Sequence, residues 1–550
     1  MIKFHCKILA FILLINFSVN YVNATPFIDS LTIQNNFKKQ KNNNKSPLSE
    51  IFVPVGNIDI DEQINDLQLL GKISSSYSLA IRPFFANSIL TYDSLLKLID
   101  TSIRYNGNLY RNHGLKIRLL PISTLQKFNS NFPYGGNDAS LNLSRGYQST
   151  TSAGVGVKYG PFNLILKPEF INISNKSYET TTTWGYIDRP IQQFLLGNSS
   201  FKINFWKLTF GLSNENMWYG PGKINSLLMS NNAPGFLHYS IGTTSPIKTF
   251  FGLIEFNLIS GKLTQNIDQG FEIRRLRPKL INQNDRYLNE IIFNFQPKFL
   301  KNISFGVIRA FQNYSNNSVS KSFITNYLPV LNGIFKNRYN DDNLSRDQLL
   351  SLYSRWLMPK NNSEIYFEFG YNDSKLNSRD LLLDMSHSAT YLFGFKKLQI
   401  LNNRSYLSLG FEAIKLAQTP SYIHRNAGNW YEHSTIIEGY TNKNQIIGAG
   451  AGFGNISQQL NIAFNKSSFK IGVILEHTIQ DPYALVSGTS TIYLRTFNWT
   501  QFAYGLNSKF KFKNIMFSGI MTKINSKNHG WIENLNQSNL FLLVNIIYLW

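Results

Sequence analysis

Asn539-Leu-Phe-Leu-Leu-Val-Asn-Ile-Ile-Tyr-Leu-Trp550 is an apolar, aromatic-tipped run that stops on the last residue of the chain. Chain termini of water-soluble domains are usually polar and frayed. The last strand of a closed barrel in an outer membrane has a reason to differ. It must pair with the first strand and turn an apolar face to lipid. Counting back from Trp550, the residues Tyr548, Ile546, Val544, Leu542 and Leu540 share one face, with Tyr548 and Trp550 placed for an interfacial girdle. The opposite face is apolar too, apart from Asn545, so the alternation is imperfect. The run still favours an outer-membrane strand over a buried core strand.

The same twofold period recurs upstream. In Arg404-Ser-Tyr-Leu-Ser-Leu-Gly-Phe-Glu-Ala413, Leu407, Leu409, Phe411 and Ala413 fall on one face, with Ser408, Gly410 and Glu412 on the other. Ile365, Phe367 and Phe369 likewise oppose Tyr366, Glu368 and Gly370. Whole hairpins are legible. Leu460, Ile462 and Phe464 run into a turn at 465–468, and the phase resumes at Phe469, Ile471, Val473 and Leu475; Phe201–Phe205 and Leu208–Leu212 flank a tight connection at Trp206-Lys207. Charged residues opposite an oily face, such as Glu368, Glu412, Lys470 and Glu476, suit a wet lumen better than a dry sandwich. The strand-rich part, allowing about 10 residues per strand plus turns, predicts a barrel of roughly 16–20 strands.

Lys3 and Lys7 flank the start of a short apolar run, Ile8 to Phe17, and Val22-Asn23-Ala24 has the small residues a signal peptidase reads. Residues 1–24 therefore read as a cleaved signal peptide and 25–50 as a flexible polar leader. Residues 51–111 read as a periplasmic helical region. Asp59 and Glu62 resemble a capping box, Ile60, Ile64, Leu67 and Leu70 recur at helical spacing, and Gly71 suits the position after the helix. A second stripe is Leu95, Leu96, Ile99 and Ile103. Residues 112–550 then form the outer-membrane β-barrel. After the signal no apolar run reaches the ~20 residues of a spanning helix. The composition fits, with 14% aromatic and only 16% charged residues.

Cys6, the one cysteine, leaves with the signal, which excludes disulfides and thiolate chemistry from the mature chain. The net charge of +22 becomes +20 without Lys3 and Lys7. Export argues against nucleic acid, so the excess points to an anionic polysaccharide or lipopolysaccharide phosphate, or equally to lysines dispersed without any site. The eight histidines form no H-E-x-x-H pattern and no recognisable serine constellation. Glu476 and His477 are strand neighbours on opposite faces, which argues against a joint acid–base role. No catalytic residue, metal site or cofactor is expected.

Between two strands lies Asn214-Glu-Asn-Met-Trp-Tyr-Gly-Pro-Gly-Lys-Ile-Asn-Ser-Leu-Leu-Met-Ser-Asn-Asn-Ala-Pro-Gly-Phe236, in which Gly220-Pro221-Gly222 sets a sharp turn after two rings. This block closely resembles the signature of the capsule assembly Wzi family. Further similar stretches are Phe251 to Leu263, Gly136-Asn-Asp138, Arg145-Gly146, Lys167-Pro-Glu169, Tyr431-Glu-His433, Gly439 to Asn442 and Ile447 to Gly454, with Leu67 to Gly71 and Arg82-Pro83 ahead of them. The chain departs from the pattern at Tyr219, where a second Trp is expected, and at Asn444, often Gly. Asn tolerates left-handed backbone, so that turn should survive.

The resemblance implies an all-β fold: a transmembrane antiparallel β-barrel of about eighteen strands with a small N-terminal periplasmic helical unit. It also implies a monomeric, non-catalytic, lectin-like protein that anchors capsular or extracellular polysaccharide at the surface of the outer membrane, among lipid and lipopolysaccharide. Aromatic rings stack on sugar faces while amides and cations hold hydroxyl and carboxylate groups. Trp218, Tyr219, Asn231, Asn232, Trp430 and Tyr431 are thus candidate polysaccharide contacts, and Gly-Pro-Gly flanked by rings reads equally as a lumen plug or loop brace. Arg274, Arg275 and Arg277 fit an acidic glycan or lipopolysaccharide phosphates, or lumen carboxylates. The competing function is a porin-like channel for sugars or other small solutes.

Overall fold

The computed structural model describes residues 55, 58–84, 108–178, 189–265, 285–314, 330, 346–372, 386, 388–402, 405–418, 429–433, 436–466, 469–482, 485–487, 492–494 and 497–550. The signal peptide, the polar leader, the Leu95 to Ile103 stripe and Arg274, Arg275 and Arg277 lie outside them.

Eighteen antiparallel strands close into a barrel. Each wall strand pairs with its sequence neighbour, from Leu115–Asn129 round to Gln537–Tyr548. That last strand pairs back onto the first, from Phe541↔Asn129 to Tyr548↔Ile122. A short strand, Asn108–Asn112, completes the seam at Leu115 to Arg118. It belongs to the barrel although it precedes the expected start at 112. Closure leaves no wall strand with an unpaired edge, the condition for spanning lipid with strands. Among the described residues no helix is long and apolar enough to cross a membrane.

The alternation predicts the pleat correctly. Leu407, Phe367, Phe393, Val473, Phe502 and Val544 are exposed on the outside, while Glu368, Glu412, Asn539 and Phe541 are buried inside. Exposed apolar surface on this scale marks contact with another phase. Connections are short at one end of the barrel and long at the other. Phe205, Trp206, Phe250, Phe251, Phe299 and Phe512 stand exposed beside the short turns, forming an aromatic girdle.

The inward charges read as lining a wet lumen and the Gly-Pro-Gly block as a plug or loop brace; in the structure much of the interior is packed protein. Two long connections, 214–237 and the described part of 416–455, fold inward. Tyr219, Leu227, Leu228, Trp430, Tyr431 and Tyr440 from these loops pack on Ile292, Ile308, Leu392 and Ile414 of the wall. The loops carry short ladders of their own: Trp218–Tyr219 pairs with Ile81–Arg82, and Thr441–Asn442 with Gln445–Ile446. In the second turn Asn444 has φ 66, so the turn does survive without glycine.

Helix α1, Ile58–Leu69, docks at the short-turn end. Ile60, Ile64 and Leu67 bury their predicted stripe against Leu120, Ile165 and Ile547 of the wall. The helix ends as the sequence indicates. Gly71 has φ 71, its N–H donates to Gln68 O at 3.0 Å, and Lys72 N–H donates to Leu67 O at 2.8 Å, which is a Schellman closure. Its start differs: Asp59 lies inside the helix, and Glu62 turns to the barrel wall rather than back to a cap.

Candidate functional site: the plugged lumen and its side cavity

Inward carboxylates hold the plug. Glu412 accepts hydrogen bonds from the backbone N–H groups of Lys223 (2.8 Å), Ile224 (3.1 Å) and Asn225 (2.7 Å), and from the Tyr366 hydroxyl (2.8 Å). Glu290 accepts from the Tyr440 hydroxyl at 3.0 Å and Glu438 from that of Tyr314 at 2.5 Å. Arg286 donates to Gly439 O and to Thr441 O (2.6 Å). A buried charge costs several kcal/mol unless paired or hydrogen-bonded. Glu412, Glu290 and Arg286 of the wall meet that condition by gripping the loops, and Glu438 of the loop meets it by accepting from the wall's Tyr314.

The residues expected to touch sugar sit within this packing. Tyr219 is fully buried, its hydroxyl donating to Met217 S at 3.3 Å and accepting from Asn257 Nδ2 at 2.8 Å. Trp430 lies against Gly370 of the wall, where a Cβ would come within 2.5 Å of its ring, and its Nε1–H donates to Ser388 O at 3.0 Å. The Tyr431 hydroxyl donates to Leu227 O at 2.8 Å and accepts from Ala449 N–H at 2.8 Å. Asn232 donates to Ile446 O at 3.0 Å. These four side chains are occupied with protein, because burying rings against the wall removes more apolar area from water than a surface loop does. Trp218 and Asn231 differ, since both border a cavity. Trp218 carries the Arg82 guanidinium 5.2 Å from its ring, and Asn231 Nδ2 donates to Asn137 O at 2.8 Å.

That cavity, of about 610 Å³, runs beside the plug from the long-loop end to α1. Its size is typical of ligand pockets. Hydroxyls and amides stud its wall, among them Ser123, Ser152, Asn198, Gln459 and Gln501. Aromatic side chains gather at the long-loop end. Trp499 lies 4.6 Å from His529 and 4.8 Å from Trp531 in an edge-on pair, and the Tyr134 hydroxyl donates to Glu476 at 2.9 Å. Sequence reasoning missed Tyr134, Trp499, His529 and Trp531. They come from two connections and the start of the wall strand Trp499–Phe512, with no shared motif, and only strand closure brings them together.

At the other end α1 seals the cavity with charge. Glu62 pairs with Lys470 and, at 3.5 Å, with Lys396; Asp66 meets Lys396 at 2.6 Å; Asp61 faces Arg82 at 3.9 Å. Burial pushes the Asp61 carboxyl up to about 6, against the weaker pull of Arg82 and Lys223. Burial would raise Glu62 too, but Lys470 and Lys396 together overcome it and hold that carboxyl at about 2. Among the described residues no cluster of three metal-ligating side chains occurs.

The arrangement is a barrel whose interior is partly filled by its own loops and partly left as a polar, ring-capped cleft. The sequence model for the capsule assembly protein Wzi matches residues 121–483. Among solved structures, the chain resembles Wzi of Escherichia coli, described as an outer-membrane, carbohydrate-binding β-barrel involved in group 1 capsule assembly. The TM-score is 0.59 at 11% identity, over 91% of this chain and 99% of that one. Two porins are more distant: OccD3 of Pseudomonas aeruginosa (TM-score 0.39, 10% identity, 81% and 95% covered) and a BenF-like porin of Pseudomonas fluorescens (0.37, 8%, 78% and 98%). No curated protein matches the chain. The family match spans well over half the chain and the matching fold is the one the strands build; this protein, a β-barrel of the bacterial outer membrane, belongs to the capsule assembly protein Wzi family.

Proposed function

We propose that the protein binds capsular or extracellular polysaccharide and holds it at the cell surface, without catalysing a reaction on it. The long-loop end faces outward, and α1 with the short turns faces the periplasm. Residues 1–24 are removed on export, and the mature chain works as a monomer among lipid and lipopolysaccharide. The observation that carries this reading is the use made of the inward carboxylates. A channel leaves such groups in contact with permeating water and solute, whereas here Glu412 and Glu290 are bound to inserted loops. The remaining cleft offers rings beside hydroxyls and amides, the chemistry that sugars present in return.

The test is a deletion strain compared with its parent. Polymer is expected to be made and secreted in equal amount but recovered from the medium instead of the cell pellet. Polymer trapped inside the deletion strain would reject the attachment role. Steady ion conductance by the purified intact protein in planar bilayers would favour the porin reading.

A further inference from the structure

The barrel wall is irregular at one height, and a lysine borders the cavity there. Between Phe162–Leu166 and Glu169–Ile173 a wall strand breaks at Lys167-Pro168. Proline has no N–H to donate, so the ladder cannot run through it. The next strand breaks at the same level, between Ile191–Leu195 and Ser200–Phe205, and Gly197 bridges to Lys167. On the other side, the first wall strand shifts register between Leu120 and Ser123, where Pro121 falls. Gly154 lies between the two breaks. A Cβ there would stand 2.2 Å from Leu166 O and 2.9 Å from Lys167 Cα, so any larger residue would exclude the bulged backbone. Bulges of this kind re-aim side chains, and they concentrate beside functional sites.

Most charges around the cavity are held by hydrogen bonds or ion pairs. Glu169 accepts from the Ser140 hydroxyl (2.8 Å) and Asn198 (3.0 Å), Asp138 is paired with Lys127 at 2.5 Å, and Glu476 is held by Tyr134. Of the cavity's cations, Arg82, Lys223, Lys396 and Lys470 each face a carboxylate. Lys167 borders the cavity half-buried; among the described residues its ammonium makes no ion pair and no side-chain hydrogen bond, and Glu169, two residues on, is the carboxylate that acts on it. The Thr150 hydroxyl, two residues along from Ser152 on the same wall, and Asn231 Oδ1 also lack hydrogen-bond partners. A half-buried ammonium that faces Glu169 without forming an ion pair with it carries a desolvation cost that an incoming anion offsets.

We infer that Lys167 is the anion-recognition point of the side cavity, taking the carboxylate of an acidic sugar residue while the hydroxyl- and amide-lined wall receives the ring. This assignment rests on the polysaccharide-binding reading above.

The experiment uses the full-length barrel in detergent, titrated calorimetrically with tetragalacturonate and with neutral maltotetraose. The wild type is expected to bind tetragalacturonate more tightly, with an affinity that falls as salt rises. Lys167→Gln should weaken tetragalacturonate about tenfold, the loss of one charge-assisted hydrogen bond, and leave maltotetraose unchanged. Lys167→Arg should keep most of the binding and, with an unchanged heat-modifiable gel shift, serves as the folding control. Unchanged tetragalacturonate binding by Lys167→Gln, an equal loss for both sugars, or competition by inorganic phosphate as strong as by tetragalacturonate would each overturn the assignment. The attachment function is read separately, from polymer retention by wild-type cells. Retention with an indifferent Lys167→Gln removes only the subsite, whereas absent retention removes the function.

Discussion

Glu412 concentrates at one residue what the whole lumen does. Its phase in the strand, opposite Leu409 and Phe411, is readable from sequence, and the structure confirms that it faces inward and is buried. Its partners are not readable, because Lys223, Ile224 and Asn225 lie 187 to 189 residues earlier in the chain. Glu412→Ala would leave three backbone N–H groups, that of Asn225 buried, without an acceptor. We expect a loss of about 3 kcal/mol or more, measured by urea unfolding of the refolded barrel, together with new protease cleavage between residues 222 and 232. Trp430→Ala should cost about 3–5 kcal/mol, because the void opened over Gly370 has rigid wall on one side. Unchanged midpoints for both variants would mean that the plug contributes nothing to stability. The rings expected to touch glycan were chosen for their chemistry. Sequence cannot distinguish a ring offered to a ligand from one offered to the chain's own wall.

At the scale of elements, strands and hairpins were the legible part, since alternation and turn residues are local. Lys466↔Phe469 and Phe205↔Leu208 close the two hairpins where the sequence placed them. The stripe and C-terminal closure of α1 were legible for the same reason. Its docking was not, because that depends on lysines in distant strands. The docking should be pH-dependent. Glu62, held at about 2 against an ordinary 4.5, contributes stability that is complete above 4.5 and lost as pH falls through about 2. Asp61 acts in the opposite sense. Its folded carboxyl keeps a proton up to about 6, against an ordinary 3.8, so docking weakens as pH rises between those values. Hydrogen-exchange protection of α1 amides, corrected for intrinsic rates, should therefore peak between roughly pH 4 and 5. Asp61→Asn should reduce the decline on the alkaline side, the remainder belonging to Asp66, whose carboxyl burial also raises. Protection that climbs steadily through pH 6 in the wild type would contradict this balance.

For the molecule as a whole, the decisive competition is between a bore and a plug. A closed eighteen-strand wall is wide enough to conduct when empty. Replacing residues 222–232 by a short glycine linker should remove the segment gripped by Glu412 and produce stable single-channel steps in planar bilayers, with the parent protein silent. A silent variant would show that the rest of the interior, including α1, suffices to seal the barrel. The alternation of oily and polar residues, together with its repetition along the chain, fixed a barrel with lipid outside. Periodicity follows from the pleat, and each strand carries its own copy of it. What fills the barrel was left to the tertiary structure, since the plug, the side cavity and the unpaired Lys167 depend on strand closure bringing together loops hundreds of residues apart.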